Sequence, residues 1–167
     1  AAWDPADARG QARSLDIESF HADIRVQPDG TLEVAERLDV RFTGSWNGIF
    51  RDIPVEYDSG YGANYTLRVD AIAAEDGAGS PLVVEEERRG RYRSLRIYVP
   101  DAVDATRTVV LRYRVRDGIR FFEEHDELYW NVTGDESEVP IGSASARVWL
   151  PPGATGIRST AFAGSRG

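Results

Sequence analysis

Apolar and polar residues alternate along most of this chain, and the spacing of an amphipathic helix is nearly absent. The clearest case covers residues 108–116, where one face carries only apolar or aromatic side chains: Val109, Leu111, Tyr113 and Val115. Arginines dominate the opposite face of the same segment. This pattern is typical of a half-buried strand in an antiparallel sheet.

Two further segments are predicted to form a long hairpin near the start of the domain. Apolar residues alternate over residues 20–26 and again over residues 32–42, where only Glu36 interrupts the apolar face. Between these segments, Pro28, Asp29 and Gly30 supply the residues of a tight turn. Shorter strands are predicted at residues 65–71, 82–86, 95–99 and 146–150.

About eight closely spaced strands predict an all-β fold, a single antiparallel β-sandwich domain over residues 15–153. Residues 1–14 are small, polar and aperiodic, so we expect a disordered or processed linker that follows a removed signal peptide. Residues 154–167 are expected to be a tail leading toward a transmembrane region outside this sequence. The alternation fails at residues 44–57, where special packing or function is therefore expected.

Composition and charge narrow the classes of function. The net charge of −8 argues against a nucleic acid partner, because binding to the phosphate backbone needs a basic face. The chain of 167 residues contains no cysteine, so it has neither a disulfide framework nor a thiolate metal site. No segment of the sequence approaches the long uncharged run that a membrane helix requires.

The densest group of reactive side chains lies in residues 121–134, FFEEHDELYWNVTG. Short strands are predicted at residues 119–122 and 128–132, with the charged run between them as an exposed hairpin loop. Alternation within the second strand predicts that Trp130 faces the core together with Leu128 and Val132. Tyr129 and Asn131 are then the outward-facing pair.

The charged run, from Glu123 to Glu127, has three interpretations. Paired carboxylates can cleave glycosides, but these are neighbours in sequence and no nucleophile motif accompanies them, so no catalytic residue is assigned. Carboxylates of Glu124, Asp126 and Glu127 are an alternative calcium site, although the spacing is not that of an EF-hand loop. A solvated turn, or carboxylates paired with arginines such as Arg120, is the favoured interpretation.

Arg51 is surrounded by apolar residues in the segment IFRDIP, which predicts that its guanidinium is partly buried. A buried guanidinium needs a partner, and the best geometry is a bidentate pair with a carboxylate. The charged run at residues 123–127 is predicted to supply that partner. Arg51 or Asp52 would then join the two segments into one surface.

Three motifs resemble the YciQ-like family of predicted bacterial membrane proteins: VQPDGTLEVAERLDVRF (26–42), GIFRDIPVEY (48–57) and IRFFEEHDELYWNVTGDESEVPI (119–141). The resemblance runs from about Leu15 to Gly153 and concerns the N-terminal extracytoplasmic domain, whose function is unknown. It implies a signal peptide, this domain and then transmembrane helices, with no activity or cofactor to transfer. The motif positions are Arg51, Asp52, Pro54, His125, Asp126, Glu127, Tyr129, Trp130 and Asn131.

These observations favour a binding or interaction module in the cell envelope, anchored to the membrane through its own missing transmembrane region. The candidate binding residues are Arg51, Asp52, His125, Asp126, Glu127, Tyr129 and Asn131. The expected partner is another envelope protein or a glycan, and no cofactor is expected unless the calcium alternative holds. The alternative functions are an envelope hydrolase, or a cation-dependent glycan-binding domain, that uses residues 123–127.

Overall fold

The structure is a computed structural model, and it describes residues 12–58, 64–134 and 138–163. Within those residues the chain forms thirteen strands and no helix. The strands are β1 (Ser14–Val26), β2 (Leu32–Ser45), β3 (Gly48–Pro54), β4 (Glu56–Asp58), β5 (Asn64–Thr66), β6 (Arg68–Asp76), β7 (Pro81–Leu82), β8 (Val84–Arg89), β9 (Tyr92–Tyr98), β10 (Val103–Arg116), β11 (Ile119–Phe121), β12 (Asp126–Leu128) and β13 (Ala144–Trp149).

The largest sheet has six strands in the order β13-β1-β2-β10-β6-β7. Strands β1 and β2 form the predicted long hairpin, and the backbone N–H of Thr31 donates to the Asp29 carboxylate (2.9 Å) in its turn. Gly30 occupies the left-handed region there (φ +81°), which suits glycine. Neighbouring strands are antiparallel except at one edge, where β13 runs parallel to β1.

A three-stranded sheet, in the order β3-β9-β8, and two short ribbons, β4-β5 and β11-β12, complete the described fold. Inward-facing residues of the two larger sheets form one hydrophobic cluster, as in a sandwich. Its fully buried members include Phe20, Leu38, Val40, Ile53, Leu95, Ile97, Val109 and Leu111. Each fully buried aliphatic side chain contributes roughly 1.5–3 kcal/mol, so this shared core dominates the favourable energy of folding.

The predicted all-β class is confirmed, and the number of long strands agrees with the expectation. Eight strands have six or more residues, while five have three or fewer within the described part of the chain. One expectation is wrong in detail, because the last strand is parallel to its neighbour. Residues 44–57 contain β3 and β4 and are mostly extended, and the special packing expected there is found at the buried Arg51.

The sequence of β3 does not alternate between apolar and polar residues, because one of its inward-facing residues is charged. Ile49, Arg51 and Ile53 are all buried, whereas Phe50 and Asp52 are half-buried. A period of two is therefore present, with arginine in the central inward position. The predicted linker falls largely outside the described residues, because its residues 1–11 are not among them.

Candidate functional site

A buried ion pair joins the two larger sheets. The guanidinium of Arg51 on β3 forms a bidentate pair with Glu36 on β2, with Nε–Oε2 and Nη2–Oε1 distances of 2.7 Å. The Arg51 side chain is 6% exposed and that of Glu36 is 0% exposed. Two parallel charge-assisted hydrogen bonds in a dry environment are the strongest form of this pair.

Every N–H of the Arg51 guanidinium has an acceptor. Nη1 donates to the carbonyls of Asp52 (2.9 Å) and Thr133 (3.3 Å), and Nη2 also donates to the carbonyl of Val132 (3.0 Å). With the two bonds to Glu36, this accounts for all five donors. The charge is therefore fully satisfied by groups inside the protein, which is what makes its burial tolerable.

Tyr113 on β10 is the third member of this group. We call Glu36, Arg51 and Tyr113 the buried network. The Tyr113 hydroxyl donates to Glu36 Oε1 (2.6 Å), so the carboxylate receives three hydrogen bonds. Burial, together with the negative charge of Glu36, raises the pKa of Tyr113 well above its ordinary value. Burial alone would lower the pKa of Arg51, but the charge and hydrogen bonds of Glu36 outweigh it and raise that pKa.

The predicted burial and bidentate pairing of Arg51 agree with the structure, but the predicted partner at residues 123–127 is wrong. Glu36 takes that place because its position on β2 points into the space between the sheets, directly opposite β3. The sequence contained a signal for this residue, since Glu36 is the one charge on the apolar face of its strand. An acid at an inward strand position needs a buried cation, and Arg51 meets that need.

The buried network also holds the segment after the charged hairpin. The carbonyls of Val132 and Thr133 point at Arg51, and the N–H of Gly134 donates to the side chain of Asn131 (3.1 Å). Gly134 lies in the left-handed region (φ +85°), and a Cβ there would lie 3.1 Å from Arg51 Nη1. The motif NVTG thus forms a turn whose backbone carbonyls accept hydrogen bonds from the guanidinium.

This turn explains why the predicted strand over residues 128–132 is wrong, since β12 ends at Leu128. The inward orientation of Trp130 agrees with the structure, because its ring packs on the core and stacks on Tyr113 (6.4 Å between centroids). Tyr129 is 41% exposed, in agreement with its predicted outward position. Asn131 is half-buried, because its carboxamide is used within the turn.

The predicted hairpin is present, but only the first part of the charged run forms its turn, because Asp126 and Glu127 begin β12. Strands β11 and β12 pair through Phe121 and Asp126, and the N–H of Phe122 donates to the carbonyl of His125 (2.9 Å). The side chains of Phe122 and His125 stack across the turn (4.9 Å). The exposed tip residues are Glu123, Glu124, His125 and Asp126. The hairpin interpretation agrees with the structure.

Aromatic side chains beside the tip form a continuous group that the sequence did not indicate. The ring of Tyr57 stacks on Tyr65 (5.3 Å) and meets the edge of Tyr129 (5.7 Å). Arg120 lies over the rings of Tyr65 (5.2 Å) and Phe122 (4.9 Å), and its Nη1 is 3.5 Å from Glu127. We call this group the hairpin surface, and its members are Tyr57, Tyr65, Arg120, Phe122, His125 and Tyr129.

The hairpin surface packs the β11-β12 ribbon against the β4-β5 ribbon. Burial is the main cause that raises the pKa of Tyr65, while Arg120 opposes the shift and Glu127 adds to it. The hydroxyl of Tyr65 therefore stays neutral at physiological pH. Sequence reasoning missed Tyr57 and Tyr65 because they lie some sixty residues from the tip and meet it only through the fold.

The remaining predicted site residues are divided between the interior and the surface. Asp52 is half-buried and accepts a hydrogen bond from the buried hydroxyl of Ser94, and Pro54 is buried at the end of β3. Asp126 lies at the exposed tip, and Glu127 faces Arg120. The structure therefore brings Arg51 to residues 132–133 and leaves it apart from the tip carboxylates. Within the described ranges no three His, Asp or Glu side chains are grouped to hold a metal ion.

The fold and the site define an all-β domain that combines a buried ionic network with an exposed charged hairpin. Residues 16–165 match the family described as predicted membrane protein (DUF2207) N-terminal domain, and the chain belongs to that family. This agrees with the resemblance seen in the motifs. No helix in the described part of the chain is both long and apolar enough to cross a bilayer. A search of curated proteins gave no match.

Solved structures with a similar fold include native leukotriene A4 hydrolase from Saccharomyces cerevisiae. The alignment covers 83% of this chain and 24% of that enzyme, with 11% identity and a TM-score of 0.52. An M1 zinc metallopeptidase from Deinococcus radiodurans aligns over 83% of this chain and 33% of its own, with 16% identity and a TM-score of 0.48. This chain thus spans about a quarter to a third of those proteins, and the similarity to the yeast enzyme concerns the fold alone.

Proposed function

We propose that this domain is an extracytoplasmic binding module of a membrane-anchored protein, and that it contacts a partner protein through the hairpin surface and the tip. The observation that carries the proposal is the exposure of large aromatic side chains there: Phe122 is 43% exposed and Tyr129 41%. Aromatic side chains that a soluble surface leaves exposed in a group mark interaction sites. They are also enriched at the centres of protein interfaces.

The buried network supports this role because it makes the hairpin surface rigid. Arg51 fixes the backbone at residues 132–133, which follow Tyr129, Trp130 and Asn131 in the sequence. The rings of Tyr57 and Tyr65 support Tyr129 and Arg120 from the side. A surface that is ordered before binding loses less conformational entropy when the partner docks.

The candidate residues therefore divide into two roles. Tyr129, His125, Asp126 and Glu127 contact the partner, because they lie on or beside the exposed tip. Arg51 and Asn131 are positioning residues, since their polar groups are engaged inside the domain. Asp52, held by Ser94, supports the β3 side of the same network.

The chemistry of the surface favours a protein with exposed arginine or lysine beside apolar residues. Aromatic rings offer stacking surfaces to a guanidinium, and the carboxylates of Glu123, Glu124 and Asp126 attract a cation. A neutral glycan would use the rings and leave the carboxylates without a role. The hydrolase alternative gains no support, since the similarity to peptidases extends to the fold alone.

The side of the membrane can be tested because this sequence has no cysteine. Glu124→Cys is introduced into the intact membrane protein, and whole cells are treated with a maleimide that does not cross membranes. We expect labelling in intact cells equal to that in permeabilised cells, with the unsubstituted protein as the background. Labelling that occurs only after permeabilisation would place the domain on the cytoplasmic side and end the proposal.

The binding role can be tested with a photo-crosslinking amino acid at Tyr129, with Val103 as the matched control. Both side chains are exposed, but Val103 lies on β10 away from the tip. We expect a protein adduct from position 129 that disappears with Glu123→Lys plus Glu124→Lys and is absent from position 103. Adducts that glycan hydrolases remove would favour the glycan instead. Equal adducts from both positions would refute a specific surface.

A further inference from the structure

The edge strand β13 has an uncovered apolar face. Its residues Ala144, Ala146 and Val148 are in register with Phe20, Ala22 and Ile24 of β1, so they face the same side of the sheet as the core. The two strands differ sharply in burial, since Ile24 is 1% exposed and Val148 is 45% exposed. The core face of the sheet therefore continues onto β13 without a covering layer.

The backbone of β13 is also available along its outer edge. Among the described strands, β13 pairs only with β1. The hydrogen bonds between two paired strands use the backbone N–H and C=O groups of every second residue on the edge strand. The carbonyl of Ser143 accepts from Phe20, so Ala144, Ala146 and Val148 turn their backbone groups away from β1. Residues 144–149 contain no proline and no inward charge, two of the devices that protect edge strands, and their one charged side chain is Arg147 on the outer face.

Two arginines lie on the outer face of the same edge, beside the carboxylates of Asp23 and Glu33 in the neighbouring strands. Arg147 on β13 and Arg25 on β1 both lie over the ring of Trp149, at 5.6 and 5.2 Å. Neither arginine forms an ion pair within the described residues, and Asp23, the register neighbour of Arg147, instead accepts from Trp149 Nε1 (3.3 Å). In a chain of net charge −8, two adjacent unpaired arginines favour an acidic occupant.

This charge argues against a second copy of the chain as the occupant. Two β13 strands that paired side by side would bring their Arg147 side chains onto the same face of one sheet. Like charges in neighbouring strands are destabilising. A different segment, with carboxylates on that face, has complementary charge.

We propose that β13 binds an extended segment of a partner protein by strand addition. The segment has apolar side chains at alternate positions, which cover Ala144, Ala146 and Val148, and carboxylates between them, which face Arg147. Main-chain hydrogen bonds supply affinity in this mode and the alternate side chains supply specificity. The inference does not depend on the hairpin surface, so either proposal can fail alone.

The test uses a fluorescently labelled peptide of alternating valine and glutamate, VEVEVEV, and the matched lysine peptide VKVKVKV. Fluorescence anisotropy is expected to show the glutamate peptide binding about tenfold more tightly, since opposite charges face each other across the new pair. Amide hydrogen exchange at Ala144, Ala146 and Val148 is expected to slow when that peptide is added. Equal binding of both peptides, no binding at about 1 mM, or unchanged exchange would overturn the proposal.

Two variants locate the binding to β13. Arg147→Glu, at an exposed position, is expected to reverse the preference in favour of the lysine peptide. Val148→Asp is expected to weaken binding at least about tenfold, because it places a charge on the apolar face, while Val103→Asp is the exposed control that leaves it unchanged. Unaltered binding by both β13 variants would overturn the site. Self-association that Val148→Asp abolishes would identify a second copy as the occupant and overturn the proposed partner.

Discussion

The buried network and the exposed tip are the two places where ionisable side chains crowd together in this domain. In the buried network, Glu36, Arg51 and Tyr113 satisfy one another, and every guanidinium N–H has an acceptor. At the tip, Glu123 and Glu124 face solvent and form no ion pair within the described residues. The first group fixes the positions of three strands and a turn, whereas the second leaves its charges available to a partner.

The difference shows that charge density along a sequence is a poor guide to structural importance. A run of acidic residues can remain in water at little cost, because water solvates each carboxylate. A single charge on the inward face of a strand must find a partner or destabilise the fold by several kcal/mol. Glu36 therefore carries more information about this fold than the four carboxylates of residues 123–127.

The largest expected effect is that of Arg51→Met, which we expect to lower the free energy of unfolding by about 3–5 kcal/mol. The variant leaves Glu36 buried without a cation, and the carbonyls of Val132 and Thr133 lose their donor. Urea denaturation followed by tryptophan fluorescence measures the change. The matched control is Arg120→Met, a partly exposed arginine 3.5 Å from Glu127, with an expected loss of about 1 kcal/mol or less.

Equal losses of stability from the two arginine variants would contradict the contrast between buried and exposed charges. They would mean that the buried pair contributes no more than a surface pair. A loss from Arg51→Met that is accompanied by no change in the exchange of amides near residues 131–134 would contradict its role in holding the turn. Hydrogen exchange of those amides is therefore measured on both variants.

Tyr113→Phe is expected to have the next largest effect, about 1.5–3 kcal/mol, because a hydrogen bond to a buried carboxylate is lost. The substitution keeps the ring that stacks on Trp130, so it isolates the hydroxyl. Tyr65→Phe is the control, since the Tyr65 hydroxyl makes no hydrogen bond within the described residues, and its expected change is about 0.5 kcal/mol or less. A Tyr113→Phe variant as stable as the control would show that Arg51 alone satisfies Glu36.

The sequence predicts the all-β class well, because alternation with a period of two is a local property of each strand. It also predicts the hairpin at residues 119–128, where apolar residues flank a charged run, and the burial of Arg51 between isoleucines. Each of these rests on neighbours in sequence. Sequence patterns therefore predict those features whose contacts are made between residues close together in the sequence.

The sequence does not predict which carboxylate meets Arg51. That contact depends on how the three-stranded sheet lies over the six-stranded sheet, and both Glu36 and the tip satisfy the local chemistry. The parallel direction of β13 has the same cause, since β13 pairs with β1, which is distant from it in sequence. The aromatic contacts of Tyr57 with Tyr129 likewise arise only in three dimensions.

Asp39 provides an intermediate case between the buried network and the tip. Its partly exposed carboxylate accepts from Thr108 Oγ1 (2.6 Å) and Ser19 Oγ (2.7 Å), and these bonds, helped by Arg37, lower its pKa. Because the pKa is lower in the folded state, the stabilisation is present above the ordinary value of 3.8 and is lost as the pH falls below it. We expect Asp39→Asn to cost roughly 1 kcal/mol at pH 7 and progressively less below pH 4.

Urea midpoints measured between pH 7 and pH 3 check this dependence. Glu33→Gln is the control, because Glu33 lies on the same strand in an exposed position and forms no ion pair within the described ranges. The difference in urea midpoint between wild type and Asp39→Asn should narrow on acidification. The difference between wild type and Glu33→Gln should not narrow in this way. A gap that widened toward low pH would reverse the sign and contradict the assigned hydrogen bonds.

The smallest effect on stability is expected at the tip itself. Glu123→Gln together with Glu124→Gln should change the free energy of unfolding by no more than about 0.5 kcal/mol, because exposed carboxylates without ion pairs contribute little. Removal of two like charges from one turn can even stabilise the hairpin slightly. Urea denaturation at low and high salt separates these contributions, since screening reduces any repulsion. A loss above about 2 kcal/mol would mean that the tip carboxylates hold the fold together, and the contrast between the two charged groups would then disappear.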